Sequence, residues 1–318
     1  MKLHESVDFR DAVLATAQHM KIPDVFVEKD YWVTFVLYRL ARHPSSNKIV
    51  FKGGTSLSKA YNLIERFSED VDLAVTGIAE LSGNQIKSLI DKTSKILAAA
   101  PFEEIKGDPR NSKGSRFRRT AHRYPRLELM GEFQAASADL LLEINSFSDP
   151  SPIVRKSVRS YIGNFFSEKS PENLAVYDLD SFDIQVLGLE RTYVEKLLSL
   201  IRHSYSGAQP VREKIRHLYD LARLDSCTEI QELKSNPSKL REIVLSVKKT
   251  DEASPDFSGK WLALPLPSAP LFTDPEIKNA MKEAYQSPSL QSLIWDSAKT
   301  PSFERAWDLL MQLAALIE

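Results

Sequence analysis

The chain of 318 residues has a single cysteine, Cys227, which excludes an internal disulfide and any cysteine-based metal cluster. Lying directly after a helix predicted to end near Leu224, that thiol reads as a quiet, partly buried side chain rather than a nucleophile. The six histidines show no metal-ligand spacing. No apolar run approaches the roughly 18 residues that span a bilayer, and the opening Met1 to Asp8 is too polar for a signal peptide, so a cytoplasmic location without membrane contact is expected. An excess of one charge is lacking as well. With 42 Lys and Arg against 43 Asp and Glu, the net charge of −1 supplies no global field to draw the chain onto nucleic acid. There is no internal repeat and no low-complexity tract. What is present, 42% apolar and 27% charged residues, is ordinary globular composition with enough length for two domains.

The most informative stretch is Lys52-Gly53-Gly54-Thr55-Ser56-Leu57 followed by Arg66-Phe67-Ser68-Glu69-Asp70-Val71-Asp72-Leu73. Ile49, Val50 and Phe51 read as a buried strand, and the two glycines allow a sharp turn where a Cβ would clash. Thr55 or Ser56 then caps a helix carrying Leu57, Ala60, Tyr61 and Ile64, whose N-terminal N–H groups favour an anion such as phosphate. Asp70 to Val75 alternates as a strand does, so Asp70 and Asp72 face one side and Val71 and Leu73 the core. Neighbouring carboxylates repel unless a cation lies between them. A hard divalent ion with oxygen ligands supplies that charge, and Mg²⁺ typically takes one or two carboxylates plus substrate phosphates.

Helices are predicted over 8–19, over 24–42 with Phe26, Val33, Leu37 and Leu40 as its apolar stripe, and over 84–100 before Pro101. Strands follow at 123–129 and 138–147, the second carrying Glu143 on the side opposite Leu142 and Ile144. Glu28-Lys29-Asp30 reads as a wet helix face. Short strands at 154–162 and 182–187 lead into helices at 189–203 and 211–224. The tail is helical, broken at Ser254-Pro255 and at the proline-rich 264–270, which cannot be helix interior. Between Arg110 and Arg126 seven Lys or Arg residues, with Phe117 and Tyr124 among them, form either a solvated hairpin or a surface that neutralises phosphates and stacks bases. Lys196 falls on the polar face of its helix with Thr192, Ser199 and His203. Asp220 also lies off its apolar stripe, with Arg216 and Arg223 as surface partners at helical spacing.

The stretch FKGGTSLSKAYNLIERFSEDVDLAV resembles the first motif of the AbiEii-type nucleotidyltransferase toxins, a branch of the DNA polymerase β-like nucleotidyltransferase superfamily. The resemblance takes in Val27 to Val33 upstream and the helices around Lys196 and Asp220, spanning roughly residues 20 to 225. The gap between glycine turn and acidic pair is longer than the general superfamily pattern, which fits this branch and weakens analogy to polymerases. The resemblance implies an α+β fold: a nucleotidyltransferase-fold mixed sheet with flanking helices over 1–175, and a mainly helical domain over 176–318 that completes the active-site cleft. It implies Asp70 and Asp72 as catalytic metal ligands, with Glu143 as a third ligand or as base for the attacking hydroxyl. An edge-strand glutamate paired with arginine is the alternative for Glu143. Gly53, Gly54, Thr55, Ser56, Arg66 and Ser68 would cradle the phosphates of an NTP with Mg²⁺ or Mn²⁺, Lys196 would face them, and Asp220 would orient Lys196 or the nucleophile. The implied activity is NMP transfer to an acceptor such as a tRNA end, reached through Arg116, Arg118, Arg119 and Arg123, by the toxin of a toxin–antitoxin or phage-defence pair with a possible cognate antitoxin. Transfer to a protein or small molecule, or a non-catalytic binding module, are the rival readings.

Overall fold

The computed structural model describes residues 2–68, 70–133, 135–147, 149–253 and 259–317. It divides into two compact units, residues 1–62 with 67–187, and residues 63–66 with 188–318. In the first unit α1 (Phe9–Met20), α2 (Asp24–Ala41), β1 (Ile49–Lys52), α3 (Gly53–Lys59), β2 (Val71–Val75) and α4 (Gly83–Leu97) precede β3 (Glu103–Glu104), β4 (Ser112–Lys113), β5 (Phe117–Arg123) and β6 (Leu140–Asn145). It ends with β7 (Ile153–Val158), α5 (Tyr161–Lys169), α6 (Asn173–Tyr177) and β8 (Phe182–Leu187). Among the described residues eight strands form one mixed sheet in the order β3-β5-β6-β2-β1-β8-β7, with β4 on β5. β2 runs parallel to β6 and β1 parallel to β8, while β1–β2, β5–β6 and β7–β8 are antiparallel. The strand β8 pairs with both β1 and β7, which extends the first unit to Leu187, past residue 175.

One face of the sheet carries Val71, Leu73, Leu142 and Ile144, all buried, and α2 and α4 pack against its strands. α2 is enclosed by α1, α4, α5, β6 and β8, which explains why its Glu28-Lys29-Asp30 triplet is buried rather than wet. Each of the three charges is satisfied by a distant segment. Glu28 Oε1 accepts from the Leu127 N–H at 2.8 Å, and Lys29 Nζ donates to the carbonyls of Ser137 and of Asp139, the latter at 2.8 Å. Asp30 accepts from Lys59 Nζ at 2.6 Å and from the Tyr161 N–H at 2.7 Å. The apolar stripe of a helix cannot announce this, because the partners lie about 30 to 130 residues away in sequence.

The ladder at 123–129 is displaced. β5 occupies 117–123 and pairs with β4 and β6; beyond it Tyr124 turns into the core against Trp32, with 5.7 Å between ring centroids. Pro125, lacking an N–H, follows at once and cannot extend the ladder. The helix α3 begins at Gly53 itself and stops at Lys59, short of Ile64, with Asn62 in the left-handed region at φ 54°.

The second unit is helical: α7 (Leu189–Ser204), α8 (Ala208–Arg212), α9 (Ile215–Leu224), α10 (Thr228–Lys234), α11 (Pro237–Ala253), α12 (Pro270–Thr273), α13 (Pro275–Tyr285), α14 (Pro288–Gln291) and α15 (Phe303–Leu316). α7 touches α8 to α12, so most of its circumference is buried. The helix expected over 211–224 is two, divided at residues 213–214. The proline-rich stretch forms short helical turns with Pro270 opening α12, where its missing N–H costs nothing. The Ser254-Pro255 break lies outside the described residues.

Burial pushes the Glu28 carboxyl up to about 7 against the hydrogen bond from Leu127, so between about pH 4.5 and 7 the folded chain holds a proton that the unfolded chain has released. Stability from this group therefore falls as pH rises through that window. Glu28→Gln keeps the acceptor and removes the titration; its urea midpoint should gain on the parent between pH 5 and 7.5, whereas parallel pH profiles would refute the linkage.

Candidate active site

In the first unit the signature turn is built on steric exclusion. Gly53 sits at φ 81°, and a Cβ there would overlap the Asp72 carboxylate, so a glycine is needed both for the backbone and for the acid lying against it. Ser56 turns its hydroxyl back onto the Gly53 carbonyl at 2.8 Å, and Thr55 Oγ1 donates to Ser68 Oγ at 3.0 Å. The turn and the approach to Asp70 are thus tied together by the two hydroxyls. Thr55 and Ser56 are buried, while Gly54, Ser68, Asp70 and Asp72 are half-buried.

Strand register then assembles a transverse row of charges. Lys52 on β1 is paired with Asp72 on β2, Asp72 with Glu143 on β6, and Glu143 with Arg119 on β5. Directly paired residues project from the same face, so the order across the sheet is cation, carboxylate, carboxylate, cation. Glu143 shares the face of the aspartate pair, away from Leu142 and Ile144. Burial raises the Glu143 carboxyl above its ordinary value, and Asp70 adds to that; Lys52 and Arg119 act in the opposite direction, and Asn145 donates to Oε1 at 3.4 Å. Among the described residues no three His, Cys, Asp or Glu side chains are drawn close enough to hold a metal ion. The donor set is nonetheless of the hard-oxygen kind that Mg²⁺ and Mn²⁺ require.

The basic hairpin is partly spent on structure. Arg110 binds Asp108 at 2.6 Å and Asp139 at 2.8 Å, Arg118 binds Asp91 of α4 at 2.6 Å, and Lys113 binds Glu104 at 2.6 Å. Apart from Asp108, two residues from Arg110, the acidic partners come from other segments, which a local count of charges over 110–126 misses. Tyr124 is in the core, and Phe117 stacks on Phe147 with 5.9 Å between centroids. Arg116 and Arg123 are exposed.

In the second unit Asp220 is a hub. Arg66 grips it with Nε on Oδ1 at 2.7 Å and a terminal nitrogen on Oδ2 at 2.6 Å, and Lys196 Nζ lies 2.7 Å from Oδ2. All three are buried: Asp220 0%, Arg66 2%, Lys196 5% exposed. Lys196 is therefore not on a wet face, because the neighbours of α7 enclose the polar side as well, and the buried partners of Asp220 are these two cations. Arg223 instead binds Glu65 at 2.8 Å. Burial opposes ionisation of Asp220, but Arg66 and Lys196 hold its carboxyl well below the usual range. Arg66, expected on phosphates, has its guanidinium committed to this carboxylate. The segment 63–66 is further secured by Trp295 N donating to the Glu65 carbonyl at 3.1 Å and by a bridge between Arg66 and Ile294. His217, one turn before Asp220, is driven well below its ordinary pKa by burial and then by Lys196, and its Nδ1 is buried without a hydrogen-bond partner.

A family profile described as "Nucleotidyl transferase AbiEii toxin, Type IV TA system" matches residues 36–308. The chain belongs to the AbiEii nucleotidyltransferase toxin family. In fold it is similar to MenT4, a nucleotidyltransferase toxin from Mycobacterium tuberculosis H37Rv, at a TM-score of 0.55 and 18% identity over 96% of this chain and 89% of that one. No curated protein sequence matches. The mixed sheet with flanking helices is thus a nucleotidyltransferase fold, and this AbiEii chain is a nucleotidyltransferase, the toxin of a toxin–antitoxin system. Membership brings with it an NTP substrate and, for the family generally, a divalent metal and a cognate antitoxin. No helix among the described residues is long and apolar enough to cross a membrane.

Gly53→Ala places a side chain at positive φ and against Asp72. It should cost about 1–2 kcal/mol in urea denaturation and lower nucleotide transfer by more than the loss of folded protein explains. Full activity with an unchanged midpoint would show that Asp72 does not need this approach.

Proposed function

We propose that this AbiEii protein moves an NMP from an NTP to an RNA acceptor, a tRNA end, in a Mg²⁺- or Mn²⁺-dependent reaction in the cytoplasm, with phage defence as the setting. The observation that carries this reading is the in-register Asp72–Glu143 pair beside Asp70, with a cation on each outer strand. Asp70, Asp72 and Glu143 would hold the metal, which when bound neutralises triphosphate oxygens and the departing pyrophosphate. The acceptor hydroxyl attacks the α-phosphorus, the bond to the bridging β-phosphate oxygen breaks so that pyrophosphate leaves, and the hydroxyl proton passes to solvent. The Gly53-to-Ser56 turn and Ser68 line the approach to the carboxylates, and their tie through Thr55 and Ser68 supports a preorganised phosphate seat. We assign Lys196 to charge compensation on the transferred phosphate and Asp220 to holding that ammonium, the latter supported by their 2.7 Å pair. Exposed Arg116 and Arg123 supply sequence-independent contacts to an RNA backbone.

The test is incubation with total RNA and each α-labelled NTP in turn. Label should enter RNA of tRNA size with one preferred NTP; label on protein or small molecules instead would replace the acceptor. Asp70→Ala or Asp72→Ala should abolish transfer with a thermal midpoint close to the parent, because removing one like charge relieves repulsion. Lys196→Ala should lower turnover at least tenfold with Mn²⁺ affinity unchanged, since the lysine is not a metal ligand; unimpaired turnover would remove it from the mechanism.

A further inference from the structure

Arg119 differs from Arg110 and Arg118 of its hairpin in its partners, and from Arg116 and Arg123 in being half-buried rather than exposed. Arg110 and Arg118 are each paired with carboxylates, Arg118 on the face covered by α4. Alternation along β5 turns Arg119 to the opposite face, in register with Glu143. Its Nε donates to the Arg110 carbonyl at 2.8 Å, which fixes the plane of the guanidinium. Among the described residues no carboxylate lies within ion-pair distance of it, although Glu143 is its direct neighbour across the ladder. The terminal nitrogens thus form a half-buried, oriented fork beside a carboxylate pair that the proposed function loads with metal and triphosphate. A fork of this kind matches phosphate oxygens in two-point geometry.

We propose that Arg119 binds the NTP triphosphate, offering its terminal nitrogens to phosphate oxygens at the edge of the Asp72–Glu143 pair. The inference rests on the reading of those carboxylates as the transfer site. It goes beyond it in separating Arg119 from a general RNA-binding surface and in giving the residue two effects of opposite sign. Before nucleotide arrives the guanidinium repels a divalent ion approaching the carboxylates. Once the triphosphate is present, the same charge holds it. Lys52, on the far side of the row, adds to the field from β1.

The full-length protein and Arg119→Gln are compared by calorimetric titration with inorganic tripolyphosphate and, without any phosphate, by Mn²⁺ titration read by electron paramagnetic resonance. Lys106→Gln, at an exposed turn, serves as the like-charge control. The expected result is a tripolyphosphate Kd raised about tenfold or more and a Mn²⁺ Kd lowered about three- to tenfold in Arg119→Gln, with neither changed in the control. Arg119→Lys, which keeps the charge and loses the fork, should recover the Mn²⁺ value and only part of the phosphate affinity. A purely structural role would weaken both or neither. Unchanged tripolyphosphate binding in Arg119→Gln, or a wild type with no measurable tripolyphosphate binding, would each overturn the proposal. A wild type that binds tripolyphosphate but not Mn²⁺ would overturn the metal site instead, leaving the phosphate comparison to decide Arg119.

Discussion

The parallel register of β2 on β6 is the constraint on which the first unit's chemistry depends. It places Asp72 beside Glu143, an arrangement that costs free energy in a bare sheet and persists because β1 and β5 bring Lys52 and Arg119 to the two outer positions. A one-residue slip of either strand would send a carboxylate into the apolar face with Val71, Leu73, Leu142 and Ile144. The core therefore enforces the site: the same alternation that buries four aliphatic side chains aligns the charges on the other face. Gly53 completes the constraint by leaving room for the Asp72 carboxylate against the backbone.

The second unit solves a different electrostatic problem. Asp220, fully buried, is kept ionised by two cations, one of them Arg66, which stands four residues before Asp70 in the chain. Removing Asp220 would leave two buried cations without this carboxylate in a poorly solvating environment, which is why buried networks are costly to break even when their net worth is small. The loop residues Glu65 and Arg66 are held within the second unit from both backbone and side chain.

Much of this was legible because it is local. The glycine turn, the alternation of Asp70 to Val75, and the placement of Glu143 opposite Leu142 follow from dihedral and periodicity arguments spanning a few residues. The strand at 182–187 and the helices near 9–20 and 24–41 follow in the same way. The failures share one cause. Glu28, Lys29, Asp30, Lys196 and Asp220 were each placed toward water by helical phase, and each is buried because a distant segment covers it and supplies a partner. The strand expected at 123–129 lies instead at 117–123, because pairing with β6 over 117–122 defines the ladder and Tyr124 then leaves it for the core.

From sequence alone came the family motif, the pair of aspartates, the candidate third carboxylate and the α+β character, all carried by residue type and short-range spacing. Only the tertiary structure decided which strands are neighbours, and therefore that Lys52 and Arg119 bracket the carboxylates, that Arg110 and Arg118 are committed to Asp108, Asp139 and Asp91, and that Arg66 and Lys196 share Asp220. The physical reason is that charge pairing and strand register are set by contacts between residues remote in the chain, whereas periodicity reports only the geometry of one element at a time.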